Sequence, residues 1–293
     1  MKKILKWIGI LLAAIVTLLV IMGVVVYISS SSDLNRRYDI QPVAIDIPAA
    51  DSAALSVGEH VARTRCTGCH GDNLGGRVMV DDRAFGRISS SNLTRGEGGI
   101  GNEYSDEDWI RAIRHAVGPD GSPLLVMPAQ ELIHLGREDL AAVIAYIKQV
   151  PAADWSPPEQ KIGPMARAMH FFVEDFPMLG AATVDHSTTL TEVPPRGPTA
   201  EYGRYLSSTC IGCHGPDLTG AANGPPGTPP SANLTRLQAW SGDDFVRGVR
   251  EGIRPTGDTL HAMMPRFQSF TDDEIGALWA YLSSMEPADG IGD

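Results

Sequence analysis

The chain repeats itself, and that repeat restricts the fold more than any other feature. CTGCHGDNLGG (66–76) is matched by CIGCHGPDLTG (210–220), and SNLTR (91–95) by ANLTR (232–236). YSDEDWIRAIRHAV (104–117) is matched by WSGDDFVRGVREGI (240–253), VMP (126–128) by MMP (263–265), and EDLAAVIAYI (138–147) by DEIGALWAYL (273–282). The matches keep one order with only short length changes, so residues 57–150 and 202–286 are two copies of one small domain. A length of 293 residues suggests two small domains or one large one, and the repeat decides for two.

Each copy reads as helical. Ser105 with Asp108, and Ser241 with Asp244, have capping-box spacing and predict a helix start. Trp109, Ile110 and Ile113, matched by Phe245, Val246 and Val249, then recur at helical spacing. The last helix carries Leu140, Val143, Ile144 and Ile147, matched by Ile275, Leu278, Trp279 and Leu282. Thr271 with Glu274 caps it in the second copy, whereas Gly136 is a weaker cap in the first. No strand-like alternation is visible. The loops are long and rich in Gly and Pro, and loops of that kind need an object to wrap around.

The first 32 residues are of another kind. Trp7 to Tyr27 contains no charged side chain, and at 1.5 Å per residue a helix of that length reaches about 31 Å, enough to cross a bilayer core. Lys2, Lys3 and Lys6 precede it, which predicts a cytoplasmic N-terminus and an exported body. A cleaved signal would have a shorter apolar region ending in small residues, so a retained anchor over 1–32 is the expectation. The rest of the chain holds 21 basic and 35 acidic side chains, a balance of −14. Nucleic acid and anionic lipid are therefore excluded as partners of the body, and basic protein surfaces favoured. The polar stretch 33–54 reads as a tether. Residues 151–198, with eight Pro, read as a linker. Met165, Met169, Phe172, Val173 and Phe176 predict one amphipathic helix within it, docked on a lobe. The two domains are placed at 55–150 and 199–287, with a tail at 288–293.

All four cysteines fall into Cys66-Thr-Gly-Cys69-His70 and Cys210-Ile-Gly-Cys213-His214, the C-x-x-C-H pattern of covalent haem attachment. Two thiols three positions apart on one helical turn reach both vinyl groups of a haem, and the adjacent imidazole faces the iron. A zinc site would need the pairs about 15–20 residues apart, but Cys69 and Cys210 are separated by 141 positions. A thioredoxin-like pair expects a βαβ context that is missing. Two covalently bound haem c groups are thus expected, on Cys66, Cys69, Cys210 and Cys213, with His70 and His214 on iron.

The sixth iron ligand separates electron transfer from ligand chemistry. Met127 and Met264 occupy the same place in both copies, each followed by Pro, which stiffens the loop presenting the thioether. Both are expected to ligate iron; Met263 is the alternative to Met264, and His261 a more distant one. The repeated N-L-T-R elements offer amide, hydroxyl and guanidinium donors, so Asn92, Thr94, Arg95, Asn233, Thr235 and Arg236 are candidate contacts for the haem propionates.

With these motifs assembled, the chain resembles the class I cytochrome c family as a membrane-anchored dihaem protein, and is similar to the cytochrome c subunits of periplasmic dehydrogenases. The resemblance covers 57–150 and 202–286. It implies an all-α fold in which the helix before each haem motif crosses the last helix, Gly58 and Gly203 permitting close approach to Tyr146 and Tyr281. It implies a Pro carbonyl on each proximal His; Pro225 and Pro226 are available to His214, but the first copy has no counterpart. The expected function is single-electron transfer between redox protein partners, a donor and an acceptor such as a dehydrogenase or terminal oxidase, on the periplasmic side of the bacterial cytoplasmic membrane. The alternative is a dihaem redox enzyme such as a thiosulfate dehydrogenase or peroxidase; Met-Pro in both copies argues against the open iron it would need.

Overall fold

The computed structural model describes residues 2–48, 51–173, 176, 178–222, 224 and 228–291. Twelve helices appear among them: α1 Lys2–Leu34, α2 Ser52–Arg65, α3 Thr67–His70, α4 Asp106–His115, α5 Ala129–Leu132, α6 Arg137–Ile147, α7 Pro164–Phe172, α8 Gly180–Thr183, α9 Ala200–Leu206, α10 Ile211–His214, α11 Gly242–Glu251 and α12 Asp272–Leu282. The architecture is mostly helical, as expected. A small antiparallel sheet is the departure: β1 Val78–Asp82 and β2 Gly86–Ser89 form a hairpin, and β3 Lys161–Ile162 adds to it.

The helix starts follow from side-chain chemistry. Ser105, Ser241 and Thr271 each accept from the N3 backbone while the N3 carboxylate reaches back, giving complete capping boxes on α4, α11 and α12. Gly136 makes no side-chain cap on α6.

Within each lobe the helix ahead of the Cys motif crosses the last helix at a glycine. A Cβ on Gly58 would stand 2.1 Å from the Ala142 carbonyl oxygen, and one on Gly203 would stand 1.9 Å from that of Ala277, beside Tyr146 and Tyr281 respectively. Eight residues separate Gly58 from Cys66, but only seven separate Gly203 from Cys210. The second lobe compensates with a 3₁₀ turn at Ser207–Thr209. Because 3₁₀ geometry rises about 2.0 Å per residue against 1.5 Å, both paths span about 12 Å. Trp109, Ile110, Leu140, Val143 and Ile144 fill the first core; Tyr202, Phe245, Ile275, Leu278 and Leu282 fill the second.

The lobes pack on each other through equivalent elements. His60 of α2 bonds to Glu274 of α12 at 2.7 Å, while Tyr205 of α9 donates to Asp139 of α6. Counted from the crossing glycines, His60 corresponds to Tyr205 and Asp139 to Glu274. The two pairs are therefore the same contact made twice, which is the signature of a pseudo-two-fold interface. Arg196 adds a 2.6 Å bond to Asp139.

The segment expected to be a tether is packed instead. α1 runs on to Leu34, and Tyr38, Ile40, Ile45 and Ile47 each press into apolar surface of the first lobe. The Tyr38 N–H donates to the Gly121 carbonyl at 2.9 Å, and Arg111 donates to that of Ile40 at 3.1 Å. These spaced apolar side chains bury surface that a solvated tether would leave wet. Helix α7 forms where the linker pattern predicts a helix and buries Ala166 and Met169. Met165 and Phe172, taken from the pattern as part of the docked stripe, point outward instead.

Candidate functional site

In both lobes Cys, Cys and His occupy one short helical turn. The His70 N–H donates to the Cys66 carbonyl at 2.9 Å, and the His214 N–H to that of Cys210 at 2.8 Å. Gly71 and Gly215 then break each turn with φ of +79°, a conformation that costs glycine nothing.

Each turn opens onto a cavity. The first, about 290 Å³, is lined by Cys66, Cys69, His70 and Met127, with Trp109 and Ile113 among its apolar walls. The second, about 330 Å³, brings together Cys210, Cys213, His214 and Met264, with Met263 and His261 also on its lining. Met263 is 53% exposed, whereas Met264 is half-buried. Both cavities lie at the lower end of the roughly 300–1,000 Å³ of small-molecule sites.

The chemistry of the donor set fits haem. Burial pushes the Cys66 and Cys210 thiols up to about 12, against the weaker pull of Arg65. None of the four cysteines forms a disulfide. Burial also lowers the His70 and His214 values, favouring neutral imidazoles. His70 Nδ1 donates to the Ser91 carbonyl at 2.9 Å and His214 Nδ1 to the Ala232 carbonyl at 2.7 Å. A carbonyl only accepts, so each Nδ1 carries the proton and each Nε2 keeps its lone pair for a metal.

Ser91 and Ala232 are equivalent residues, each immediately ahead of N-L-T-R. The first lobe thus supplies the carbonyl for which no proline was found, and the second uses the same device. Pro225 and Pro226 lie outside the described residues.

The Asn and Thr side chains of N-L-T-R are tied to one another and to backbone. Asn92 Oδ1 accepts from the N–H and hydroxyl of Thr94 at 3.0 and 2.8 Å, and its Nδ2 donates to the Ala153 carbonyl at 2.6 Å. Thr94 Oγ1 accepts from the Ala153 N–H at 3.0 Å. Asn233 and Thr235 repeat the pattern around Ala288, with bonds of 2.8 and 3.0 Å. All four side chains are buried, and neither they nor Arg95 and Arg236 line a cavity. Arg95 is exposed, and Arg236 bonds Asp289 at 3.1 Å. The element is a latch: it ties the chain just past the last helix to the loop whose carbonyl orients the proximal His.

Three features escape the motif reading. Trp109 lines the first cavity, and its buried indole N–H has no partner among the described residues. Met79, on β1, also reaches that cavity. The third is Val126, held at φ +58° just ahead of Met127, a strained conformation for a β-branched residue. Its N–H donates to the Met178 carbonyl at 2.8 Å, so the linker clamps the Met127 loop.

Between the two motifs lies Glu131 of α5. A Cβ on Gly212 of α10 would meet its Oε1 at 1.9 Å, so the carboxyl rests on the second Cys turn. Burial pushes its value up to about 7 against the pull of Arg65, and Glu131 in turn acts electrostatically on Cys69, Cys210 and Cys213. Arg65, next to Cys66, reaches the Leu206 carbonyl of the second lobe at 3.5 Å.

Comparison with known proteins agrees with this geometry. Residues 200–286 match the family model described as cytochrome c, and residues 53–147 match cytochrome c oxidase, cbb3-type, subunit III. The cytochrome c subunit of a quinone alcohol dehydrogenase from Gluconacetobacter polyoxogenes is 28% identical over 274 residues, covering 82% of this chain and 58% of that protein. The fructose dehydrogenase cytochrome subunit of Gluconobacter japonicus is 26% identical over 281 residues, covering 84% and 55%. Cytochrome c-554(548) of Halomonas halodenitrificans is 35% identical over 87 residues, 30% of this chain and 96% of that protein. The chain thus spans little more than half the length of the two dehydrogenase subunits.

Proposed function

The chain belongs to the cytochrome c family, and on that premise we propose that it is a dihaem electron-relay subunit that passes single electrons between a dehydrogenase-type donor and a respiratory acceptor. Two cytochrome c domains imply two covalently bound haem c groups, and bound haem iron supplies reversible one-electron chemistry. The observation that carries the reading is the duplicated cleft: thiol pair, neutral imidazole and thioether recur on one lining in both lobes.

In this reading Cys66, Cys69, Cys210 and Cys213 hold the two groups, and His70 and His214 ligate through Nε2 while Ser91 and Ala232 fix ring orientation. Met127 and Met264 would complete the two ligand sets, the half-buried Met264 being favoured over the exposed Met263. The propionates are met by the donors of Asn92, Thr94, Arg95, Asn233, Thr235 and Arg236, and in the first cleft by the Trp109 indole N–H as well. Glu131 and Arg65 lie where the two motif turns meet, which supports electron passage from one lobe to the other within the chain. The domain limits in this reading are 55–150 and 199–287, drawn from the repeat.

Helix Lys2–Leu34 is long and apolar enough to cross a membrane. In this reading it is a single retained span, with Lys2, Lys3 and Lys6 in the cytoplasm and both lobes outside the cytoplasmic membrane. A net charge of −14 on the body suits docking to basic protein surfaces. The donor class follows from the relatives, which are cytochrome subunits of dehydrogenases.

The optical spectrum of the oxidised protein tests the ligand set. Two methionine–iron charge-transfer bands are expected, lost one at a time in Met127→Ala and Met264→Ala, with no cyanide or carbon monoxide binding in the parent. A high-spin or carbon monoxide-binding haem in the parent would overturn the relay reading.

A further inference from the structure

Helix α7 is apolar on two faces. Ala166 and Met169 turn inward, while Met165, Phe171 and Phe172 are 43%, 39% and 61% exposed, with Phe171 and Phe172 in edge contact at 4.9 Å. A surface helix that is apolar on its outer side needs a partner for that side.

The two polar side chains of α7 identify the partner, because both turn toward the end of α1. Arg167 donates to the hydroxyls of Ser30 and Ser31 at 2.8 and 3.0 Å, and its guanidinium lies 4.7 Å from the Tyr27 ring centre. His170 meets Asp33 at 3.1 Å. Tyr27 lies near the end of the apolar run of α1, at the level where interfacial aromatics sit in a membrane-crossing helix. Val26 and Ser30, one turn apart, are buried within the described structure, so this end of α1 is docked on protein rather than free.

We propose that α7 lies in the headgroup region of the membrane crossed by α1, with Met165, Phe171 and Phe172 inserted among the acyl-chain ends; this rests on the reading of α1 as a membrane span. The occupant of the exposed face is lipid because α7 packs on the end of α1, with Arg167 over the Tyr27 ring, and Tyr27 and Ile28 are themselves exposed on the apolar span. Arg167 and His170 spend their polarity on the helix end and leave no charge on the outer side. Two contacts with one bilayer, one spanning and one lying in its surface, hold the lobes in a set orientation. The haem clefts then meet partners at a defined height above the membrane.

Spin labelling of the full-length holoprotein in phosphatidylcholine vesicles tests this. The native thiols are consumed as thioethers, so Phe172→Cys provides a single labelling site on an exposed residue, with Met165→Cys as a second and Val16→Cys as the reference for the span. Collision of the nitroxide with oxygen is compared with collision with a water-soluble nickel chelate, using free label in buffer as the aqueous standard. The oxygen-to-nickel ratio at positions 172 and 165 is expected to exceed the aqueous standard several-fold and to fall below that at position 16. Aqueous ratios at 172 and 165 with a lipid-like ratio at 16 would overturn the α7 contact and leave the span. Aqueous ratios at all three would overturn both.

Discussion

His60 Nε2 and Glu274 Oε1 lie 2.7 Å apart across the interface between the two lobes, and the same carboxylate caps α12 through its other oxygen, 2.7 Å from the Thr271 N–H. One side chain therefore starts a helix and joins two domains. Burial would raise the Glu274 value, but the bonds from His60 and Thr271 outweigh it and hold the carboxyl below the usual carboxylate range. A depressed acid contributes stability above its unfolded value of about 4.5 and loses it as pH falls through the folded value. The interface should accordingly loosen below about pH 4.5. Hydrogen exchange in α2 and α12 should rise there in the parent, and Glu274→Gln should show much of that exchange already at pH 7. His60→Ala separates the roles: exchange rises at the interface while the α12 N-terminus stays protected.

The Asn–Thr latch carries a second prediction. Thr94→Val keeps the side-chain shape but leaves the Ala153 N–H without its partner and takes one of two donors from Asn92 Oδ1, and a buried unpaired polar group costs about 1–3 kcal/mol. The loop carrying the Ser91 carbonyl loosens with it, so the hydrogen bond to His70 weakens. Denaturant unfolding should show the first lobe destabilised by that amount, and spectroelectrochemistry should show one of two midpoint potentials shifted, with two haems per chain retained. Thr235→Val should shift the other. Unchanged stability in both variants would remove the latch.

The end of α4 gives a third, through acid. His115 Nδ1 and His186 Nδ1 are 3.1 Å apart, and His186 Nε2 bonds the Ala181 carbonyl at 3.0 Å. With His186 donating through Nε2, His115 is the donor between the rings. Burial first, then repulsion from His186, Arg114 and Arg111, lowers the His115 value to about 4. A lowered histidine contributes stability above its unfolded value of about 6.5 that is lost as pH falls towards 4, at most about 3 kcal/mol. Urea unfolding at pH 7.5 and 4.5 should show that loss in the parent, and His115→Asn should flatten it. Because His186 belongs to the linker, limited proteolysis at pH 4.5 should cut first between the lobes.

What could be read in advance divides by the range of the interaction. The capping boxes at Ser105, Ser241 and Thr271 were legible because donor and acceptor lie three residues apart. The Cys-Cys-His turns were legible because one helical turn contains all their chemistry. His60 and Glu274 are 214 positions apart with no local pattern to pair them. The carbonyls of Ser91 and Ala232 were invisible for another reason: every residue carries one, and only the fold chooses which faces an imidazole. That Asn92 and Asn233 are tied to Ala153 and Ala288 is likewise beyond local pattern, the partners being 61 and 55 positions apart. The packed strap at 38–47 reads as a tether because acidic residues and Pro punctuate it, and only the fold shows where its apolar side chains go. The hairpin at 78–89 leaves no alternation to see because its strands are only five and four residues long.

Gly58 and Gly203 set two effects against each other, and the sign of the result decides between them. Each sits within a helix, where Ala is better than Gly by about 1 kcal/mol on propensity alone. Gly58→Ala should then stabilise α2 if nothing touches that face. The added Cβ, however, would stand 2.1 Å from the Ala142 carbonyl oxygen and 2.7 Å from Tyr146 Cβ; at Gly203 the distances are 1.9 Å to Ala277 and 2.9 Å to Tyr281 Cβ. The nearest atom in each case is helix backbone, so relief requires the crossing helices to separate, and overpacking of this kind costs about 1–3 kcal/mol. Packing therefore wins. Gly58→Ala should destabilise the first lobe and Gly203→Ala the second, each read as a lower denaturant midpoint for one haem's optical signal. The double variant should depart from additivity, since the His60–Glu274 and Tyr205–Asp139 bonds join the helices of the two crossings. A rise in either midpoint would mean that the helices are not in contact at that glycine.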